Sequence, residues 1–245
     1  MPDDQGSDAD TPTVKDLDEM EAAELDRRLN MLRISNEILN RNFEDLVEAD
    51  EYYHDTPELW NRENSHYMQD FQIEYLRRLH NYISAYYSLY SHTQTLTNSI
   101  ASEELDKAYT QKLDELDIEE TSTFLLRFRA YTQHYELPAV QARVSLSGSD
   151  EGETDPRDVN RICFERDTLL EWDDWNTAEE YVRGFDETID MLPLLKRITE
   201  TVNEFHEWFV REVRSQHEME YEEYLEKQEE VVERLKDLRG VSGGE

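Results

Sequence analysis

One long stretch of this chain is almost free of acidic residues and carries bulky side chains at helical spacing. Between Phe71 and Ser102 there is one carboxylate, Glu74, although the chain has 59 acidic residues among 245. Bulky residues cover much of the helical circumference: Leu76, Leu79, Ile83, Tyr86, Tyr87, Tyr90 and Leu96. A helix that is apolar or neutral nearly all round is usually buried. The stretch is therefore predicted to be the central helix of a bundle.

Helical periodicity recurs on both sides of this stretch. An amphipathic helix is expected from about Asp16 to Asp50, and Pro57 is expected to open a short helix with Thr56 as its N-cap. Pro193 is expected to kink or break the chain between the last two helical segments. Downstream of the central stretch, helices are expected at about 102–116, 118–135, 176–192 and 194–238.

The periodicity changes from helical to alternating after these first helices. Val140, Ala142 and Val144 alternate with polar residues, as in a half-buried strand, and Ile162 and Phe164 indicate a partner strand. Because a two-stranded pair is marginally stable alone, we expect it to pack on the helices. The sequence thus predicts a mainly α fold, a helical bundle of six to seven helices with a small two-stranded β-hairpin.

A single domain is predicted to hold all of these elements. It spans 15–216 and includes the hairpin at 139–170, and residues 217–239 extend the long C-terminal helix. That extension is expected either to pair with another helix or to stand in solvent. The polar, glycine-containing ends, 1–14 and 240–245, are expected to be disordered.

The composition favours a folded protein with a carboxylate-rich surface. The net charge is −34, and the 25 basic residues are mostly arginine, with 19 Arg against 6 Lys. Such a surface suits a salt-adapted cytoplasm, where a Debye length of about 3 Å at 1 M salt screens self-repulsion. A negative net charge therefore does not exclude a nucleic-acid partner.

The lone cysteine, Cys163, excludes an internal disulfide and a cysteine-based zinc cluster and is expected to be buried. Neither a signal peptide nor a membrane span is predicted.

A second acid-poor stretch contains the candidate functional residues. From Thr123 to Ser149 there are three arginines and one carboxylate, so the net charge is +2 over 27 residues. At the chain average of 59 acids in 245 residues, about six or seven would be expected. Either a buried helix or a phosphate site would exclude negative charge here, and the sequence leaves both open. The arginines are Arg127, Arg129 and Arg143.

Arg129 and His134 are the candidate catalytic pair. Histidine can transfer protons at a ribose 2′-OH or a leaving oxygen near neutral pH, and arginine can hold a phosphate bidentately. Five residues place two side chains about 140° apart on an ideal helix, whereas the seven residues from Arg127 to His134 place them on the same face. Arg127 is therefore an alternative partner, and Arg127 and Arg143 are expected to bind phosphate. The alternative is that these groups pair with nearby carboxylates or cap a helix.

The segment from Phe124 to Pro138, with Arg129 and His134 at the two fixed positions of an Arg-x4-His motif, resembles the signature helix of HEPN-like proteins. The resemblance implies an α-helical bundle, often dimeric, that acts as a metal-independent ribonuclease of toxin–antitoxin or phage-defence systems. An antitoxin or other protein partner and a homodimer are further implications. Active members usually carry a polar residue directly after the arginine, where this chain has Ala130. The resemblance therefore implies either a ribonuclease or a relative that has lost activity. The alternative is a non-catalytic helical interaction or scaffold protein from a salt-adapted organism, whose long C-terminal helix docks a partner.

A metal site is the weaker candidate, and no metal or other cofactor is predicted. Glu51-x-x-His54 and Glu63-x-x-His66 each match half of the pattern of di-iron bundles. About two such matches arise by chance in so acidic a chain. Because these two flank Pro57, we do not expect them to sit on separate long helices.

Overall fold

The computed structural model describes residues 12–56, 59, 65–100, 102–144 and 160–241. Six helices of the described chain have fourteen residues or more, so the prediction of a mainly α fold with a small hairpin is confirmed. In chain order the elements are α1 (Val14–Asp18), α2 (Glu21–Asp55), α3 (Ser65–Ser99), α4 (Glu103–Leu116), α5 (Glu119–His134), β1 (Gln141–Val144), β2 (Asn160–Glu165), α6 (Arg166–Leu169), a 3-10 helix (Asp173–Ala178), α7 (Glu179–Arg183), β3 (Thr188–Asp190), α8 (Met191–Gln216) and α9 (Glu218–Val241).

The chain divides into two compact units, and both α2 and α8 supply residues to each of them. The larger unit runs from Ile34 to His206. The described part of the smaller unit comprises residues 12–33 and 207–241. The sequence-based division into a single domain at 15–216 and a helical extension at 217–239 stays a prediction. The segments expected to be disordered fall mostly on 1–11 and 242–245, which lie outside the described residues, as do Pro57 and most of its expected short helix.

Helix α3 buries one face in the larger unit, whereas Tyr87, Ser88 and His92 are exposed, so the predicted burial nearly all round is wrong. Its buried face includes Tyr75, Leu79, Tyr82, Ile83, Tyr86 and Leu89. The hydroxyl of Tyr82 hydrogen-bonds that of Thr199 on α8 at 2.9 Å, and the hydroxyl of Tyr86 donates to Ser122 Oγ on α5 at 2.7 Å. The buried tyrosines thus combine apolar packing with polar bonds that fix α3 against two neighbouring helices.

The predicted hairpin forms one side of a three-stranded antiparallel sheet in the order β1-β2-β3. Ala142 pairs with Ile162, and Cys163 pairs with Asp190 of the third strand. Cys163 is buried, as expected. The amide of Gln72 on α3 donates to the carbonyl of Val140 at 2.9 Å, so the sheet is attached to the central helix just before β1 begins.

Helix α5 packs one face into an aromatic cluster. Phe124, Phe128 and Tyr131 recur at helical spacing and stack on the buried ring of Trp175, with ring centroids 5.9, 6.5 and 5.7 Å from it. The indole of Trp175 donates to the carbonyl of Leu169 at 2.6 Å, which satisfies its one polar group. This face explains part of the acid-poor stretch, because carboxylates could not be buried there without a partner.

The segment that holds Trp175 corrects the helix expected over 176–192. Asn176 has φ 52° inside a 3-10 helix, so regular α-helix begins only at Glu179 and ends at Arg183. β3 then forms, with Ile189 buried between half-exposed neighbours. Pro193 falls in the first turn of α8, where a proline is tolerated because its missing N–H would have no intrahelical acceptor.

The smaller unit contains α1 packed on α9. Arg214 pairs with Asp26 at 3.4 Å and lies over the ring of Tyr221, 5.7 Å from its centroid. The helix predicted over 194–238 is interrupted at His217, between α8 and α9. The expected thin apolar stripe of α9 is exposed at Leu225, Val232 and Leu235, while Tyr221 and Val231 are buried.

Each helix of the described chain is too short or too polar along its length to cross a lipid bilayer.

Candidate functional site

The two acid-poor stretches of the sequence form helices that pack against each other. Residues 75–99 of α3 and 121–134 of α5 contain no carboxylate, and we call them the acid-free helix pair. Burial alone does not explain the missing charge, because several of these positions are exposed. Exposed positions of α4 carry Glu103, Glu104 and Asp106. Those of the acid-free helix pair carry Arg77, Tyr87, Ser88, His92, Gln94, Thr95, Asn98, Ser99, Gln133 and His134.

Arg129 links the two helices through a stacked contact. Its guanidinium carbon lies 4.1 Å from the ring centroid of Tyr87 on α3, well inside the range of a cation–π interaction. The residue is half-buried, and its Nε is buried without a hydrogen-bond acceptor among the residues that the structure describes. The cation is thus held in place by an aromatic face and carries no neutralising carboxylate from the described chain.

Arg127 is the second cation of α5 without a counter-ion. It is half-buried and makes no side-chain hydrogen bond or ion pair within the described ranges. Arginines elsewhere in this acidic chain are mostly paired, as Arg77 is with Glu74 and Arg183 is with Glu179. Arg127 lies in a helical stretch, residues 121–134, that contains no carboxylate to pair with it.

His134 is the last residue of α5 and is exposed. On ideal helical geometry it lies about 140° around the axis from Arg129 and about 20° from Arg127. Because Arg129 faces α3, His134 shares its flank of the helix with Arg127. The described residues provide no hydrogen bond or ion pair between His134 and either arginine. Helical geometry therefore groups Arg127 with His134, and the stack on Tyr87 places Arg129 on the flank that faces α3.

Arg143, the third arginine of the stretch, lies on β1. Its backbone is in register with Arg161 of β2. The side chains of both residues lie outside the described part of the structure, so the expected phosphate contact of Arg143 stays a prediction.

The histidines and carboxylates of the described chain do not assemble into a metal centre. Among those residues no group of three or more His, Cys, Asp or Glu side chains is placed to hold a metal ion. His92 is exposed on α3, and its Nδ1 hydrogen-bonds Ser35 Oγ on α2 at 2.9 Å. Glu51 and His54 lie at the end of α2 and His66 at the start of α3, so the expectation that the two matches would not sit on separate long helices is wrong. His54 Nε2 lies 3.5 Å from Asp50 on its own helix, while Glu63 is outside the described residues.

Tyr131 contributes a buried phenol beside the candidate residues. Its side chain is fully buried between Phe128 and Trp175, and its hydroxyl has no hydrogen-bond partner in the described structure. Burial raises the pKa of Tyr131 to about 12, so the phenol stays protonated near neutral pH. It is a packing residue and is not available as a proton acceptor.

Comparison with family models, with curated proteins and with solved structures finds no match to this chain.

The contact between Arg129 and Tyr87 was not predicted from the sequence. Both residues lie in stretches with few acidic residues, and this shared composition is the signal that could have indicated that the two helices pack together. It could not have given the stack itself, because the rotation of α5 against α3 is set by the aromatic cluster on Trp175.

Proposed function

We propose that the protein is a HEPN-like RNA-directed protein that binds phosphate through the acid-free helix pair. One observation carries the proposal: exposed positions of α3 and α5 lack carboxylates in a chain of net charge −34, and they adjoin two arginines without counter-ions. A polyanion would be repelled by most of this surface and tolerated here. Neutral polar side chains and exposed Tyr87 add hydrogen-bonding and stacking groups that suit single-stranded RNA.

The proposed roles follow the chemistry of each side chain. Arg127 and Arg143 bind backbone phosphates. Because Arg129 and His134 lie on different flanks of α5, Arg129 of a second copy of the chain, facing His134 across the dimer axis, stabilises the charge that develops on the scissile phosphate. His134 acts as general acid or base, because an exposed imidazole can exchange protons with the ribose near neutral pH. The reaction is independent of metal ions. The shared flank of Arg127 and His134 supports Arg127 as the nearer phosphate ligand.

A cleavage and binding assay in the presence of a chelator tests the proposal. Fluorescently labelled single-stranded RNA is incubated with the protein in EDTA over a series of salt concentrations. His134→Ala should abolish cleavage and retain binding, since an exposed residue at a helix end is not needed for folding. Arg127→Ala should weaken binding and reduce the salt slope of log K by about 0.7.

Arg183→Ala is the matched control for this assay. Arg183 is an exposed arginine paired with Glu179 on α7, outside the acid-free helix pair, and its loss should change neither binding nor cleavage. If wild-type protein binds no RNA, or if Arg183→Ala weakens binding as much as Arg127→Ala, the proposal is wrong.

A second candidate, a non-catalytic interaction protein, is favoured by the packing of Arg129. Its guanidinium is already stacked on Tyr87, which gives it a structural use in joining α3 to α5. Ala130 also replaces the polar residue of active members of the family. RNA binding that survives without any EDTA-resistant cleavage would select this candidate.

We further propose that the protein is cytoplasmic in a salt-adapted organism. It forms a homodimer and binds an antitoxin or other protein partner. The acidic, lysine-poor composition supports salt adaptation. Light scattering in molar KCl tests the dimer, and co-purification from the native host tests the partner.

A further inference from the structure

A cleft of about 220 Å³ lies where the turn between α4 and α5 meets α8 and α7. It belongs to the larger unit and contains none of Arg127, Arg129 and His134, so the role proposed above does not use it. Its lining residues are Leu116, Asp117, Ile118, Glu120, Thr121, Tyr181, Arg197, Ile198 and Thr201.

The cleft combines an apolar surface with unpaired charges of both signs. Leu116, Ile118 and Ile198 provide the apolar part. Arg197 is exposed and makes no ion pair with any residue of the described chain. Asp117 and Glu120 line the same cleft, are exposed, and likewise have no ion-pair partner there. Opposite charges that share one cleft without pairing leave both available to a ligand.

Hydroxyl groups complete the polar lining. Thr121 Oγ1 and the hydroxyl of Tyr181 lie 3.2 Å apart, so one donates to the other and the pair retains a free donor or acceptor. Thr201 donates its hydroxyl proton to the carbonyl of Arg197 on its own helix, which leaves its oxygen lone pairs free. These groups could bond either end of a small polar ligand.

The backbone of Asp117 holds its carboxylate at an unusual position. Asp117 caps the C-terminus of α4 in the left-handed region, with φ 48° and ψ 42°. Glycine or asparagine is more common at such a position, because a Cβ is strained in the left-handed region. The chain therefore keeps a charged side chain where the backbone alone would favour glycine.

We propose that this cleft binds a single free α-amino acid with an apolar side chain. The carboxylate of the ligand pairs with Arg197, its ammonium pairs with Asp117 and Glu120, and its side chain lies over Leu116 and Ile198. The volume of about 220 Å³ lies between an enclosed cavity of about 150 Å³ that binds benzene and the roughly 300–1,000 Å³ of pockets for drug-sized molecules, so the cleft suits one amino acid.

Isothermal titration of the full chain with L-leucine and L-phenylalanine, at the salt concentration that keeps it folded, tests this inference. Two analogues of leucine separate the charge contacts: isopentylamine lacks the carboxylate, and 4-methylpentanoic acid lacks the ammonium group. Each analogue should bind at least about tenfold more weakly than leucine, since each loses one charge-assisted contact.

Two variants assign the contacts to residues. Arg197→Gln should lose affinity for leucine by about tenfold and leave the affinity for isopentylamine unchanged. Asp117→Asn removes one charge and keeps a residue that tolerates the left-handed backbone, so it should weaken leucine binding without unfolding α4. Circular dichroism confirms the fold of each variant.

Lys196→Gln and Glu119→Gln are the matched controls. Both residues are exposed neighbours of lining residues on the same helices and are absent from the lining of the cleft. They should bind leucine as wild type does. The inference is overturned if no amino acid binds at millimolar concentration, if the analogues bind as well as leucine, or if the control variants lose affinity to the same extent.

Discussion

Removing the hydroxyl group from either of two buried tyrosines should have opposite effects on the stability of the protein. The side chains of Tyr82 and Tyr131 are both fully buried in the larger unit. The hydroxyl of Tyr82 hydrogen-bonds Thr199 Oγ1 at 2.9 Å. That of Tyr131 has no partner in the part of the chain that the structure describes. Tyr82→Phe should therefore destabilise the protein, whereas Tyr131→Phe should stabilise it.

The magnitudes follow from hydrogen-bond energetics. Loss of the Tyr82 bond should lower the free energy of unfolding by about 0.5–1.5 kcal/mol, at the typical net value of one hydrogen bond. Thr199 is not left wholly unpaired, because its hydroxyl still donates to the carbonyl of Leu195 at 2.8 Å. A buried polar group without a partner costs about 1–3 kcal/mol, so its removal from Tyr131 should raise the free energy of unfolding by about 1 kcal/mol.

Guanidinium denaturation followed by circular dichroism and tryptophan fluorescence measures both effects. Both variants delete the same atom from the same residue type, so the difference between them, about 2 kcal/mol, cancels effects on the unfolded chain. Thermal melts should show the same order, with about 2–4 °C for each kcal/mol in a chain of this size. A Tyr131→Phe variant that is destabilised as much as Tyr82→Phe would refute the reasoning, because it would mean that the hydroxyl has a partner.

Three further predictions concern charge. Raising KCl from 0.1 to 1 M should raise the melting temperature, because screening shortens the Debye length from about 10 to about 3 Å and relieves repulsion within a chain of charge −34; a melting temperature that falls would contradict this. Hydrogen bonds from Arg77 and Arg78 lower the pKa of Glu74 to about 2, so its carboxylate should titrate near that pH by NMR and shift upward in Arg77→Gln. The small stabilisation from these bonds is present above the ordinary glutamate pKa and is lost as pH falls toward 2. Burial raises the pKa of Tyr131 to about 12, so stability should fall as pH rises from about 10 to 12, and Tyr131→Phe should lessen that fall in alkaline denaturation curves.

The existence of the long helices and the bounds of α4 and α5 could be predicted because their signals are local. The acid-poor pattern of α3 indicates burial, which holds for one face of that helix. Ser102, at the predicted start of α4, caps the helix by accepting from the Leu105 amide at 3.0 Å. β3 could not be predicted, because three residues are too short for an alternating pattern to be recognised. β3 forms by pairing with β2, which lies far from it in the sequence, so the residues around β3 do not indicate a strand.

The sequence indicates which helices carry the candidate residues but not how their side chains are arranged. The low number of acidic residues marks α3 and α5, which the structure places side by side, and Arg127, Arg129 and His134 lie on α5. Which side chains face each other depends on how α5 rotates to bury Phe128 and Tyr131 against Trp175, and no local pattern encodes that rotation. The relationship to HEPN-like proteins stays a prediction.

The most direct test of the phosphate-binding role is a hydrogen–deuterium exchange footprint with single-stranded RNA. The account predicts slower exchange in peptides that cover the acid-free helix pair, residues 75–99 and 121–134, and unchanged exchange in the acidic helix α9. Unchanged exchange in both stretches at an RNA concentration that saturates binding, or protection confined to other helices, would contradict it.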